Sequence, residues 1–145
     1  MLANRLIDGL YTEAMLLADE VRAYFDEVGR DARDALDPMD RVLFSCESLK
    51  VTTRLMHVIA WLLTQRAVEV GEISAAGARE PSRRLGGAVD SDAATLARLP
   101  VEAQRFVAAS MALYVRVSRL ESGLDDDLPA ASPARQLHSR LQQSF

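Results

Sequence analysis

One stretch restricts the fold more than any other. Asp37-Pro38 opens a helix that Gly71 closes, and its centre reads Leu55-Met56-His57-Val58-Ile59-Ala60-Trp61-Leu62-Leu63. Asp37 suits a capping position and Pro38 the first helical position, where no amide hydrogen is needed. About 33 helical residues would span roughly 50 Å, long for a small domain. Two apolar stripes run along it: Val42, Cys46, Leu49, Thr53, Met56, Ala60, Leu63, Ala67, and Phe44, Ser48, Val51, Leu55, Val58, Leu62. A helix apolar on more than one side is a buried, central helix. The third stripe, Glu47, Lys50, Arg54, His57, Trp61, Thr64, is polar apart from Trp61.

Two further helices flank it. In the first, about Asn4 to Val28, Leu10, Ala14, Leu17, Val21, Tyr24 and Val28 share one face. Gly29 suits the left-handed residue after a helix end. Arg30 to Leu36 has the composition of a helix–helix loop. The third helix, Pro100 to about Ser122 before Gly123, carries Ala103, Phe106, Ser110, Leu113, Val117 and Leu120 inward; Arg105, Arg116 and Arg119 face solvent or the acidic first helix. Residues 71–99 predict a connector, part helical and part mobile. Residues 124–145, with Asp125-Asp126-Asp127, Pro129 and Pro133, read as a disordered tail. Within it Leu137, Leu141 and Phe145 fall at i, i+4, i+8, a pattern that could fold into a partner's groove. The expected fold is all-α: one domain over 1–123, an up-down-up bundle of three long helices with crossings near 20°.

Composition narrows function mostly by exclusion. Aromatic residues are 6% of a chain that is 49% hydrophobic, so the core must be aliphatic, which favours helix over strand. The net charge of −4 argues against nucleic acid as a partner. Residues 1–37 hold nine acids against four arginines, so the acidity concentrates on the first helix and its exit loop. That face reads as solvated or as a dock for a basic partner. A single cysteine, Cys46, and the absence of a signal-peptide pattern or a span of about 20 apolar residues point to a cytoplasmic protein off the membrane. No metal, cofactor or catalytic motif is present: there is no Glu-x-x-His, His-x-x-x-His, Cys-x-x-Cys or Gly-rich phosphate loop. Cys46 and His57 on one helix would stand about 16 Å apart, too far to act together. Cys46 reads as a small core residue and His57 as a surface or interface histidine.

The segments Glu47-Ser48-Leu49-Lys50-Val51-Thr52-Thr53-Arg54-Leu55-Met56 and Trp61-Leu62-Leu63-Thr64-Gln65-Arg66-Ala67-Val68 resemble the alphaproteobacterial regulator of CtrA degradation family. Helix one (Glu13-Ala14-Met15, Tyr24) and helix three (Tyr114, Arg116, Arg119-Leu120) fit as well, so the likeness covers roughly 1–123. It implies a three-helix bundle that forms a homodimer and acts as a non-enzymatic adaptor for the ClpXP protease. The implied partners are the ClpX unfoldase, a response-regulator-like adaptor that primes it, and cell-cycle regulators as substrates. Glu47, Lys50, Arg54, His57 and Trp61 are then candidates for a self-association or docking surface, with Trp61 as anchor, although a lone Trp on a polar stripe also reads as a partly covered side chain. Leu137, Leu141 and Phe145 are candidates for contact from the tail. Two other readings stay open: an interaction module unrelated to proteolysis, and a small-molecule-binding bundle, for which the core stripes offer only Cys46, Ser48, Thr53 and Ser110 as polar groups.

Overall fold

A computed structural model describes residues 2–126, and all regular structure among them is helical. Helix α1 spans Leu2–Ala23 and continues as a π-helical turn, Tyr24–Val28; α2 is Arg30–Asp34, and α3 is Pro38–Glu69. The connector holds α4 (Ala75–Ala78), a 3-10 turn (Pro81–Arg83) and α5 (Ala93–Leu96). Helix α6, Val101–Asp126, completes the chain's described part. The three long helices expected from the periodicity are all present, but not in up-down-up order: the connector returns along α3, so α6 starts beside the start of α3 and runs parallel to it, Arg98 meeting Asp40 and Ser110 meeting Arg54. Helix α3 packs against both α1 and α6, which touch each other far less, so it is the central element as expected.

Local chemistry fixes the boundaries. Pro38 takes the first position of α3, but Asp37 makes no side-chain cap; only its carbonyl accepts from the Arg41 N–H. At the other end Gly71 adopts φ +79°, and the Glu72 N–H reaches back to the Ala67 carbonyl at 2.9 Å. That is a glycine-dependent stop that few other residues could supply. Ser74 and Asp92 cap α4 and α5 by accepting from the Gly77 and Thr95 amides. Gly123 does not end α6, which continues to Asp126.

Gly29 corrects a second expectation. It is right-handed (φ −80°), not left-handed, and glycine is needed there for space. An added Cβ would lie 2.8 Å from both the Tyr24 carbonyl oxygen and the Tyr24 ring. The π turn causes this crowding by admitting one extra residue. The same insertion advances the inward face, so Phe25 is buried and Val28, expected in the core, is exposed. Tyr24, Phe25, Phe44 and Phe106 then form an aromatic cluster with centroid spacings of 5.1–6.4 Å. Gly29→Ala is expected to destabilise the protein by about 1–3 kcal/mol through overpacking. Gly9→Ala, with nothing within 4 Å of its Cβ position, should instead stabilise by roughly 0.5–1 kcal/mol. Urea unfolding of the two variants checks the opposite signs.

The core is aliphatic along the rest of its length: Leu10, Ala14 and Val21 from α1; Val51, Leu55, Val58 and Leu62 from α3; Ala103, Val107, Leu113 and Val117 from α6. Arg116 of α6 meets Glu13 of α1 in a two-bond pair at 2.6 and 3.0 Å, realising the expected contact with the acidic helix. Both partners are exposed, so the pair adds under about 1 kcal/mol.

Candidate functional site

The three stripes of α3 meet different fates. The stripe through Phe44, Val51, Leu55, Val58 and Leu62 lies in the core, as expected. The other two exchange places. Glu47, Arg54 and Trp61 of the polar stripe are 1, 2 and 3% exposed, whereas Val42, Leu49, Met56 and Leu63 of the apolar stripe are 57, 68, 63 and 46% exposed. Cys46, expected in the core, is exposed on that same face.

The connector is responsible. Helices α1 and α6 cover part of α3, and the extended segment 84–92 lies over the polar stripe, where its carbonyls find donors. Tyr114 Oη donates to the Gly86 carbonyl at 2.6 Å, and His57 Nδ1 to that of Gly87 at 2.8 Å. Arg54 Nη2 donates to the Val89 carbonyl at 2.7 Å, and Lys50 Nζ to that of Asp90 at 3.3 Å. The Glu121 carboxylate accepts from the Leu85 N–H at 2.9 Å. A stretch of backbone without secondary structure must place its polar groups somewhere, and the apolar stripe offers only the Thr53 hydroxyl and the weak Cys46 thiol as donors.

Beneath this segment sits a buried charged cluster. Arg54 also donates to Ser91 Oγ at 2.7 Å and to Ser110 Oγ of α6 at 3.2 Å. Glu47 accepts from Ser91 Oγ and from Lys50 Nζ, the latter at 2.9 Å. Burial pushes the Arg54 guanidinium below its ordinary value, while the charges of Glu47 and Asp90 act in the opposite direction. The Tyr114 hydroxyl is pushed up, first by burial and then by Glu121 and Asp90. It therefore stays a donor at neutral pH. At the end of the bundle where α6 finishes, Arg84 pairs with Asp125 and, at 3.6 Å, with Glu121. Hydrogen bonding to Arg84 holds the Asp125 carboxyl below its usual range. Trp61 lines a cleft of about 260 Å³ at that end, with Ile7, Val68, Ala78 and Leu124.

The five predicted site residues thus lie on one face, but it faces the chain's own connector. Glu47, Arg54 and Trp61 are inside; Lys50 and His57 stand at its edge, half-buried. Leu137, Leu141 and Phe145 lie outside the described residues. The periodicity placed Ser110 inward without joining it to the site, and it missed Gly86, Ser91 and Tyr114. One signal for them was available: a Glu and an Arg one heptad apart beside a Trp need buried polar partners if they are covered, and Gly86-Gly87 permits close approach of a backbone.

The exposed apolar stripe has a regular form. Val42, Leu49, Met56 and Leu63 recur every seven residues, with Met39, Cys46, Thr53 and Ala60 repeating at the same interval three residues before each. That is the spacing of a coiled-coil seam, roughly 36 Å long from Met39 to Leu63, and it carries no charge. Among the described residues no group of His, Cys, Asp and Glu could hold a metal ion, and no helix is long and apolar enough to cross a membrane.

Comparison with known proteins places these features in a family. No curated protein matches the chain. Among solved structures, RcdA from Caulobacter crescentus CB15 is similar, with 35% sequence identity and a TM-score of 0.63 over 80% of this chain and 88% of that one. A family model described as "Protein of unknown function (DUF1465)" matches residues 1–145. The resemblance read from the Glu47–Met56 and Trp61–Val68 segments is thereby borne out, and the chain belongs to the DUF1465 family as an RcdA-like protein.

Proposed function

We propose that this protein is a non-enzymatic, cytoplasmic adaptor that helps the ClpXP protease engage its substrates, among them cell-cycle regulators. The observation that carries this reading is the likeness to RcdA over most of both chains. In it the protein binds the ClpX unfoldase, primed by a response-regulator-like partner, and the tail residues Leu137, Leu141 and Phe145 supply a further contact.

We further infer that the protein is a homodimer and that its two copies meet along the α3 seam. An apolar stripe of this length on an otherwise charged surface marks an interaction site. A seam with a seven-residue repeat is complementary to a second copy of itself, as a two-fold contact requires. This replaces Glu47, Arg54 and Trp61 as the self-association surface, because those side chains are buried within the monomer.

The test is a reconstituted degradation assay with ClpX, ClpP, the response-regulator-like partner and a cell-cycle regulator as substrate. Adding this protein should accelerate substrate loss several-fold. An unchanged rate, together with no capture of ClpX from native cell extract, would rule the adaptor reading out and leave an interaction module unrelated to proteolysis.

A further inference from the structure

The segment over the polar stripe is held in an unusual way. From Leu85 to Asp90 it is bound almost entirely through its main chain: four carbonyls and one N–H are matched by side chains of α3 and α6. Its own side chains contribute little. Gly87, Val89 and Asp90 are exposed, and of residues 85–90 only Leu85 packs against the core. Ser91 closes the stretch by placing its hydroxyl between Arg54 and Glu47. The face beneath is a row of donors, Tyr114, His57, Arg54 and Lys50, spaced to read an extended backbone. Proteins recognise extended peptides in this manner, with main-chain hydrogen bonds for affinity and a few side-chain pockets for selection.

We propose that this groove between α3 and α6 is a docking site for an extended peptide segment of a partner protein, which residues 85–91 fill in the free protein as an internal stand-in. The stand-in shows what the site selects. A Cβ at position 86 would lie 2.6 Å from His57 Nδ1 and 2.7 Å from its Cγ, so the residue over the imidazole must be glycine. A hydroxyl is required five residues later, where Ser91 sits. The matching partner segment is an extended Gly-containing stretch with a Ser or Thr at that distance. Each hydrogen bond contributes only about 0.5–1.5 kcal/mol net, and an incoming peptide replaces them one for one. The tethered segment competes at an effective concentration in the millimolar range, so the site is largely closed until the segment is lifted. The idea rests on the chain being a protein-binding module and is independent of which protease it serves.

The probe is a fluorescent peptide with the sequence of residues 85–92, Leu-Gly-Gly-Ala-Val-Asp-Ser-Asp, titrated by anisotropy against the full chain. Gly86→Ala should expel the internal segment without touching the donors, and so bind the peptide at least tenfold more tightly than the wild type. Adding Tyr114→Phe to Gly86→Ala should weaken that binding several-fold, because a donor is lost. In the wild type the same peptide, which trypsin cannot cut, should accelerate tryptic cleavage after Arg84 at least threefold as it rises to about 1 mM. That measurement decides the matter if Gly86→Ala does not fold. Equal affinity of Gly86→Ala and wild type, or a cleavage rate indifferent to peptide, overturns the proposal. So does a Gly86→Ala chain that gains self-association without peptide affinity, which would put a second copy in the groove. No protease enters these assays, so their failure leaves the adaptor reading standing.

Discussion

Arg54→Ala is expected to lower the unfolding free energy by about 3–5 kcal/mol, because it leaves the remaining buried polar groups without their central partner. Three acceptors depend on that guanidinium: the hydroxyls of Ser91 and Ser110 and the carbonyl of Val89. Glu47 would keep Lys50 and Ser91, so its loss is partial. At the scale of a chain this size the midpoint of thermal unfolding should fall by roughly 10 °C. The double variant Glu47→Leu/Arg54→Met should recover part of the loss, since it removes both buried charges at once and keeps apolar volume. Thermal unfolding followed by circular dichroism compares the three proteins. A loss below about 1 kcal/mol for Arg54→Ala would mean that water reaches the cluster.

The second large effect concerns the seam. Replacing Leu49 and Met56 together by Glu should raise the dimer dissociation constant at least a hundredfold, about 2.7 kcal/mol, by burying like charges at the centre of the contact. Both residues are exposed in the monomer, so folding stability should change by only about 0.5 kcal/mol per site. Sedimentation equilibrium reads the first quantity and urea unfolding the second. A doubly substituted protein that remains dimeric would move the self-association surface elsewhere. One that unfolds would show the seam to be core after all. The pair of measurements thus separates an interface from an interior.

These two experiments probe the same question that sequence reasoning answered in the wrong order. The long helices, the stop of α3 at Gly71, the start of α6 after Pro100, and the central place of α3 were legible because they follow from periodicity and from proline and glycine at the ends. Which sides of α3 are covered was not. Periodicity ranks faces by apolarity, and on that scale the stripe through Leu49 and Met56 outranks the one through Glu47 and Arg54. What decides the matter is the backbone of residues 84–92, whose carbonyls need donors. That need appears only when the connector, Ser110 and Tyr114 are brought together across 28 to 56 residues of sequence. The π turn was hidden for a related reason. One inserted residue leaves no compositional mark, yet it exchanges Val28 for Phe25 in the core.

The two ends of the bundle are held by forces of different reach. Near Gly29 the helices meet through the rings of Tyr24, Phe25, Phe44 and Phe106, contacts that added electrolyte does not weaken. At the opposite end the last turn of α6 is tied to the connector by Arg84 with Glu121 and Asp125, charges that are only partly shielded from solvent. Ions screen such pairs over a Debye length of about 8 Å at physiological ionic strength. The molecule is therefore asymmetric toward its solvent. Changes in salt leave the aromatic end fixed and loosen the end where α6 closes at Asp126.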